Sequence, residues 1–490
     1  MLRLAIATAL TLISAPADSS DLRKIPAPPL QRLNDASMRL PYAGTDHVAQ
    51  HTIAKLPDDA IRVTNCDDSA RGSLRDVLAN VAANGDTVDL TQLPCSTITL
   101  TTGALVIDQN SITLQGPGPQ LLSISGAGTQ LDLYHRGTGQ LTVNDLTVAD
   151  GLNEQRQSAK GGCIHSEGYV ALRDVVVRDC TVRTTSKDGS PDTLGGGAFA
   201  NRGVDLVDTA MLDNTAAHIG GAEFPITDGG AVFSYGPINI VRSYLVGNVS
   251  TGGGGAIEAP AGLHMSYTTV AGNSAHYVGG VSALGDISIE SSAIVDNTAV
   301  RVGGLAVGDT LIPTSIAVHN TTISGNTGDF ASGVAFYGGD VEIANCTIAF
   351  NLSLGSPAGA GLVVGGLVLD LESSILAHNT AYKSGAETSE DLDGKGVVTG
   401  ANNLVVAPLI DVPPGTIGDD PQLLALADNG GPTPTHALPS WSPALNRGNN
   451  LFNAAYDQRG AGFRRTVGER PDIGAFELLE DPIFASGFDF

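Results

Sequence analysis

The sequence predicts an all-β fold: a right-handed parallel β-helix with three short strands per coil and about 10–12 coils. An asparagine that ends a short apolar stretch recurs at intervals of 24 to 34 residues. A glycine pair, or a near-equivalent, follows most of these asparagines. One such unit cannot bury its own apolar face. Stacked coils can, because each strand pairs with the same strand of the next coil about 4.8 Å away.

The apolar stretches within each unit are too short for helices and are separated by Gly, Asn or Ser. In one unit they are 281–283, 286–289 and 293–295. A leucine-rich horseshoe would need a Leu-x-x-Leu-x-Leu consensus, which is absent, and a propeller would need blades of about 40–50 residues. The parallel β-helix is therefore the better prediction, and we place it at residues 61–410 with its N-terminal cap.

The recurring asparagines predict a structural ladder. An asparagine tolerates left-handed backbone geometry at a tight corner, and its amide can bond the backbone and the asparagine of the next coil. The glycine pairs would supply positive φ angles and close approach at another corner. The predicted ladder consists of Asn214, Asn248, Asn273, Asn297, Asn326, Asn351 and Asn379.

The N-terminus has the order of a signal peptide: a basic start at Arg3, an apolar run over 4–13 and an Ala-x-Ala site at 15–17. We therefore predict a signal peptide at 1–17, export, and a Pro-rich linker at 18–60. A buried N-terminal strand is the alternative. Ser73 and Asp76 resemble a capping box, so a short capping helix is predicted at 73–83.

Charge and cysteine content limit the partners. With 51 acidic and 26 basic residues the net charge is -25, which excludes nucleic acid as a default partner. No stretch is long and apolar enough for a membrane helix, and we expect a monomer. Five cysteines cannot all pair within one chain. We predict the pairings Cys66–Cys95 and Cys163–Cys180, which leave Cys346, and no zinc-like cluster occurs.

The C-terminal region differs from the repeat. Residues 411–478 are Pro-rich and irregular, and we predict that they cover the open end of the helix, with Arg459 paired to Asp472. Residues 479–490 form an aromatic and acidic tail. A secretion or sorting signal and a frayed terminus are both compatible with this tail.

Two parts of the chain resemble known exported proteins. The glycine-pair and asparagine pattern resembles the β-helix repeats of polymorphic outer-membrane and autotransporter-like surface proteins. Residues 72–77, Gly-Ser-Leu-Arg-Asp-Val, resemble the Cys-Ser-Leu-Arg-Glu-Ala segment of such proteins, departing from it at Gly72, Asp76 and Val77. The resemblance implies a right-handed β-helix and export.

The C-terminal motifs carry a second resemblance. Asp-Asn-Gly-Gly-Pro-Thr at 428–433, Asp-Gln-Arg-Gly at 457–460 and Pro-Asp-Ile-Gly-Ala-Phe-Glu at 471–477 are similar, in this order, to the tail of choice-of-anchor Q β-helix proteins. The last residues resemble an ending found on exported proteins of some Gram-negative bacteria. These resemblances imply the fold and a secreted or surface location, and they imply no activity.

Catalytic signatures are missing from the sequence. Parallel β-helices include pectate lyases and polygalacturonases, which need paired carboxylates or a base beside a bound cation. The polygalacturonase-like Asn-Thr-Asp, Gly-His-Gly and Arg-Ile-Lys motifs are absent, and the carboxylates are scattered. We therefore predict no catalytic residues and a non-enzymatic protein. A polysaccharide lyase or glycoside hydrolase acting on an acidic polysaccharide is the alternative.

Two groups of residues are candidates for binding. Counting back from the glycine pairs places His218, Tyr277, Arg301 and Phe330 in one line, where aromatic and basic groups could hold a sugar chain. Ordinary corner residues are the simpler interpretation. Glu387, Glu390, Asp391 and Asp393 precede Gly394 and would suit Ca²⁺, although a solvated acidic loop is the simpler interpretation here too. No other cofactor is expected.

The expected function is therefore that of an interaction scaffold. An exported solenoid with long faces and no catalytic motif would act as an adhesin-like protein that contacts an extracellular glycan or a surface protein.

Overall fold

The computed structural model describes residues 57, 59–308, 314–355, 359–383 and 386–479. Over this range the chain forms a parallel β-helix, in which equivalent strands of successive coils pair in parallel. The predicted fold class is confirmed. The predicted signal peptide at 1–17, nearly all of the linker at 18–60 and the tail at 479–490, apart from Leu479, lie outside the described residues.

Each coil passes through up to four ladders of strands. They are numbered here within a coil, starting from the strand that follows the glycine pair. The first ladder is an 11-stranded sheet. Its strands are Leu105–Ile107, Leu133–His135, Ile164–Ser166, Ala198–Ala200, Val232–Ser234, Ile257–Ala259, Val281–Ala283, Leu305–Val307, Val334–Phe336, Leu362–Val364 and Leu392–Gly394.

The second and third ladders belong to one 23-stranded sheet, because the strands Gln140–Ala149 and Tyr169–Arg178 run through both. The other strands of the second ladder are Ile61–Arg62, Thr87–Asp89, Ile112–Gln115, Gly203–Val207, Ile238–Val241, Leu263–Ser266, Ile287–Glu290, Ser315–His319, Asp340–Ala344, Val368–Glu372 and Val397–Thr399. Those of the third ladder are Thr97–Thr99, Ser123–Ser125, Ala210–Leu212, Tyr244–Val246, Thr269–Ala271, Ala293–Val295, Thr322–Ser324, Thr347–Ala349, Ile375–Ala377 and Leu404–Val405.

The fourth ladder is a 10-stranded sheet that the apolar pattern does not reveal, because its short strands carry mostly Thr, Ser and Ala. Its strands are Leu152–Gln155, Thr181–Thr184, Thr215–His218, Val249–Ser250, Ser274–Ala275, Thr298–Ala299, Thr327–Gly328, Leu352–Ser353, Thr380–Lys383 and the antiparallel Ala386–Ser389. The three predicted strands per coil thus correspond to the first three ladders, and this one is additional.

Two small sheets complete the strands. Three longer coils add a 3-stranded parallel sheet, called here the side sheet, which consists of Ser158–Lys160, Asp192–Leu194 and Ile226–Asp228. In the C-terminal segment, Leu426–Ala427 and Thr435–His436 pair antiparallel. Inward-pointing aliphatic residues of the first three ladders fill a single buried core that continues from Val63 to Val405.

The seven predicted asparagines form the ladder. In each of the first six, Nδ2 donates to Oδ1 of the next asparagine at 2.8–3.0 Å, and the backbone N–H donates to the same oxygen at 2.8–3.1 Å. All seven are buried. Left-handed geometry occurs at the preceding residue, such as Asp296 with φ 55°, and not at the asparagine as predicted. Ladder bonds therefore satisfy amides that burial would otherwise leave unpaired.

The N-terminal end is closed by the predicted helix, α1, which spans Leu74–Asn80. Ser73 Oγ accepts a hydrogen bond from the Asp76 N–H, which is the expected cap. Leu74, Val77 and Leu78 are buried in the core. Within the described part of the chain, no helix could span a membrane.

The C-terminal segment is placed differently from the prediction. Only its first part covers the open end, where Val412 packs against the core and the Ile417 carbonyl accepts from the Val405 N–H. The remainder lies along the outside of the third ladder. Gln458 there accepts from Thr322 Oγ1 at 2.6 Å, and the Ala475 N–H donates to Thr347 Oγ1 at 3.1 Å. Most of this segment therefore covers the outer face of the third ladder, and only a small part covers the end of the stack.

Buried ion pairs hold the C-terminal segment together. Arg459 pairs with Asp457, not with Asp472 as predicted, and its guanidinium lies between the rings of Phe463 and Phe476. The Asp472 carboxylate instead accepts from backbone N–H groups. The Asp-Gln-Arg-Gly motif therefore has a structural role in this chain.

Both predicted disulfides are present. Cys66–Cys95 links the segment before α1 to the loop that leads into the third ladder, and Cys163–Cys180 joins two parts of one coil. Cys346 is free and buried, and burial raises the pKa of its thiol to about 12. The thiolate that oxidation requires is therefore scarce at neutral pH.

Candidate functional site

The outward-facing residue in the middle of each first-ladder strand forms a row that runs along the stack. We call it the outer row. Its character changes from aromatic, through polar, to small and apolar. In order, part of the row reads Tyr134, His165, Phe199, Phe233, Glu258, Ser282, Ala306, Ala335 and Val363.

The aromatic part of the outer row is covered. Phe199 and Phe233 stack with ring centroids 5.9 Å apart and are nearly inaccessible to solvent. Leu194 from the side sheet packs on them, and the Lys160 amine lies 4.6 Å from the Phe199 ring centroid. This part of the face is thus occupied by the chain itself, and this cover stops where the side sheet ends.

Two carboxylates mark that boundary. Asp228 ends the last strand of the side sheet, and Glu258 follows Phe233 in the outer row. A Cβ added to Gly253 would lie 2.7 Å from Asp228 Oδ1 and 3.0 Å from Glu258 Oε2, so the two carboxylates flank this glycine. Ser282 Oγ donates to Glu258 Oε1 at 3.1 Å, and the Gly253 N–H donates to Asp228 at 3.0 Å.

The electrostatics of this pair favour protonation. Burial and then the charge of Asp228 raise the pKa of Glu258 well above its usual range. Burial also raises the pKa of Asp228, with a smaller contribution from Asp192, while the Gly253 hydrogen bond opposes the shift. Two close carboxylates cannot both ionise cheaply, so the pair can hold a proton near neutral pH. Such a carboxyl can donate a hydrogen bond, or a proton, to a ligand oxygen.

Three of the four predicted binding residues lie next to the small residues of the outer row. Tyr277, Arg301 and Phe330 occupy equivalent positions in three successive coils, as the bridges Val278–Val302 and Val302–Ala331 show. The Arg301 guanidinium lies 5.7 Å from the Tyr277 ring centroid. We call these three residues the aromatic–arginine row.

This row packs against small residues of the outer row. Tyr277 and Phe330 are partly buried against an apolar cluster that includes Ala306, Ala335 and Val363 of the outer row. Tyr337 packs on the same cluster from the end of a first-ladder strand, and burial raises the pKa of its hydroxyl to about 12. Ala306, Ala335 and Val363 are themselves buried. The accessible part of this face is therefore formed by the partly buried Tyr277, Arg301 and Phe330.

His218 is not part of this arrangement. It lies two coils before Tyr277, and Gly252, whose carbonyl accepts from the Tyr277 N–H, occupies the intervening position. Its ring bonds Thr184 Oγ1 at 2.9 Å, and burial lowers its pKa. The row is interrupted here because this intervening position holds a glycine, which has no side chain.

The four predicted calcium ligands are dispersed. Glu387 is exposed on an antiparallel strand, and Glu390 forms an ion pair with Lys383 at 2.6 Å. Asp391 closes the asparagine ladder by accepting from Asn379 Nδ2 at 2.8 Å, and Asp393 lies on the first ladder. Among the described residues, no group of three or more acidic, His or Cys side chains could hold a metal ion. The structure gives the predicted calcium site no support.

Sequence reasoning missed Asp228 and Glu258. Glu258 had a signal, since it is a charged residue in the middle of a short Ala-Ile-Glu-Ala stretch whose counterparts are apolar or small. Asp228 had none, because the side sheet that carries it follows no repeat. Comparison with known proteins finds no matching family model, no matching curated protein and no matching solved structure.

Proposed function

We propose that this chain is an exported, non-enzymatic scaffold that binds an extracellular glycan along the aromatic–arginine row beside the first ladder. The observation that supports this most is the aromatic–arginine row beside the small residues of the outer row. Two disulfides are compatible with an extracellular location. A secreted or surface protein of the choice-of-anchor Q type would suit this role.

The chemistry of the row suits a sugar chain. Aromatic faces accept the apolar C–H faces of pyranose rings, and Arg301 can donate to hydroxyl or carboxylate oxygens. Equivalent positions recur at each coil, about 4.8 Å apart, so an extended chain can meet the same kind of contact repeatedly. A globular partner would not need such a linear repeat.

The triple variant Tyr277→Ala/Arg301→Ala/Phe330→Ala is expected to weaken glycan binding by about tenfold or more, because it removes the stacking surface and the charged donor together. Binding would be measured on an array of neutral and acidic oligosaccharides, followed by titration of the strongest ligand. Unchanged affinity of the triple variant would eliminate the row as the binding surface.

Two single variants serve as matched controls. His218→Ala removes a ring from the residue that the structure separates from the row, and Tyr382→Ala removes an exposed ring near the C-terminal end of the stack. Both should bind like the unmodified protein. A loss in either variant equal to that of the triple variant would indicate a general effect on the fold.

A second candidate function is hydrolysis of the bound glycan. The specific observation in its favour is the Asp228–Glu258 pair, because a carboxyl that stays protonated near neutral pH can act as a general acid beside an ionised partner. This function predicts release of new reducing ends from a panel of acidic polysaccharides.

If the Asp228–Glu258 pair is catalytic, the hydrolytic activity of the Glu258→Gln variant should be lower by about 100-fold or more, since general acid catalysis contributes roughly that much. Binding to the same polysaccharide should persist in this variant. The absence of product from every polysaccharide with the unmodified protein would reject hydrolysis and leave the binding proposal intact.

A further inference from the structure

A pocket of about 310 Å³ lies between the stack and the C-terminal segment, away from the first ladder. Phe350 and His378 contribute to it from two successive coils, and Asp420, Gln422 and Trp441 from the C-terminal segment. Phe350 and His378 stack with centroids 4.9 Å apart and an interplanar angle of 13°. Sugar and cofactor sites typically combine such rings with a few polar groups.

Two bulky residues of this pocket have left-handed backbone geometry. Phe350 and His378 each precede a ladder asparagine and have φ 58°. The same corner position in the five preceding coils holds only Asp or Gly. Those residues are Asp213, Gly247, Gly272, Asp296 and Gly325. A bulky residue is costly in this backbone region, and at this corner only the two coils that line the pocket carry one.

The aromatic surface of the pocket is open to solvent. Trp441 is 73% exposed and Phe350 is 40% exposed. Next to these rings, the Asp420 carboxylate lies 3.1 Å from His378 Nε2 and accepts from the Gln422 N–H at 2.8 Å. An indole with a free face beside hydrogen-bonding groups is suited to a ligand with one apolar and one hydroxylated surface.

We propose that this pocket binds one neutral sugar ring, with an apolar face of the ring against Trp441 or Phe350 and its hydroxyls bonded to Asp420 and Gln422. The carboxylate disfavours an anionic sugar, as does the net charge of -25. The site is separate from the glycan surface beside the first ladder, and the proposal does not depend on it.

The chain contains a single tryptophan, so its fluorescence reports on this pocket directly. Titration with methyl β-D-glucopyranoside, methyl β-D-galactopyranoside and methyl α-D-mannopyranoside should give a saturable change in emission for at least one of them. The variants Phe350→Gly and Gln422→Ala keep the tryptophan and should raise the apparent Kd by about tenfold. Phe452→Ala removes another exposed ring of the C-terminal segment and should leave the titration unchanged.

A stability measurement separates a ligand-binding role for Phe350 from a structural one. Because glycine fits the left-handed backbone, Phe350→Gly should keep or raise the melting temperature while it weakens binding. A clear fall in melting temperature, or no saturable response to any of the three sugars, would overturn the proposal. A response to choline and to none of the sugars would also overturn it, in favour of a cation-binding aromatic site.

The two binding proposals can fail independently. The triple variant Tyr277→Ala/Arg301→Ala/Phe330→Ala should retain the tryptophan response, since none of its residues lines the pocket. Loss of that response in the triple variant would contradict the separation of the two sites and overturn the pocket proposal.

Discussion

An Asn297→Asp variant is expected to lose about 4 kcal/mol of unfolding free energy at pH 7. Asn297 Oδ1 accepts from the backbone and side chain of Asn273, both at 2.9 Å. Its Nδ2 donates to Asn326 Oδ1 and to the Val270 carbonyl, both at 3.0 Å. Aspartate keeps the two acceptor contacts with Asn273. Its second carboxylate oxygen, however, would face Asn326 Oδ1 and the Val270 carbonyl, which would lose their donor and meet a buried negative charge.

The loss should shrink as the pH falls. Burial raises the pKa of a carboxyl, and a group whose pKa is raised by folding favours the folded state only while it is protonated. The protonated acid could also donate to Asn326. Chemical denaturation of the unmodified and variant proteins at pH 4, 5.5 and 7 would measure the difference at each pH.

The chain itself supplies a reference for this change. Asp391 closes the same ladder, but there both oxygens face donors, from Asn379 and from the Ala407 N–H at 2.9 Å. An acidic residue is therefore accepted at the end of the ladder, where no donor is required. Asn453→Asp, at an exposed position, is the control and should change stability by less than about 0.5 kcal/mol. An equally small effect at Asn297 would show that the ladder does not stabilise the stack.

Arg465→Met is expected to destabilise the C-terminal segment by about 3–5 kcal/mol, because it leaves the buried Glu477 without its cation. Arg465 and Glu477 are both essentially inaccessible and lie 2.9 Å apart. The guanidinium also donates to the Gly474 carbonyl at 2.7 Å. Limited proteolysis and thermal unfolding would show the segment released before the stack melts.

A double variant tests the electrostatic reason. Burial raises the pKa of Glu477 to about 7 even with Arg465 present, so its ionisation costs stability as the pH rises from about 4.5 to 7. Arg465→Met/Glu477→Gln should recover part of the loss, and it should reduce the pH dependence. The exposed Arg447→Met is the control. If the double variant is no more stable than Arg465→Met, packing of the guanidinium and not its charge is what matters.

The asparagine ladder and the helix cap could be predicted from individual residues and their spacing. Asn297 and its counterparts repeat with the coil, so the ladder follows from spacing alone, and Ser73 marks the start of α1 by its capping chemistry. The fourth ladder could not be read in this way. Its strands, such as Thr298–Ala299, are two residues long and gain their order from neighbouring coils.

The candidate sites depended on register, which the sequence left uncertain. Tyr277, Arg301 and Phe330 lie in one line because three successive coils have the same number of residues between corner and glycine pair. The preceding coil has Gly252 at this position, which leaves a gap between the line and His218. Glu258 meets Asp228 only because the side sheet returns to the first ladder. Contacts of this kind depend on the path of long loops, whose sequences contain no repeat from which the path could be predicted.

The amino-acid sequence was sufficient to predict the parallel β-helix, the asparagine ladder and the capping helix, because each rests on short-range patterns that recur with every coil or on a single capping pair. The disulfide pairings follow from no such pattern, and the structure established them. Tertiary structure alone decided where the C-terminal segment lies and which acid pairs with Arg459. It also decided that Trp441 and Phe350 share one pocket. The physical reason is that a stack constrains each coil through its neighbour, whereas an irregular segment is placed by contacts among residues far apart in the chain.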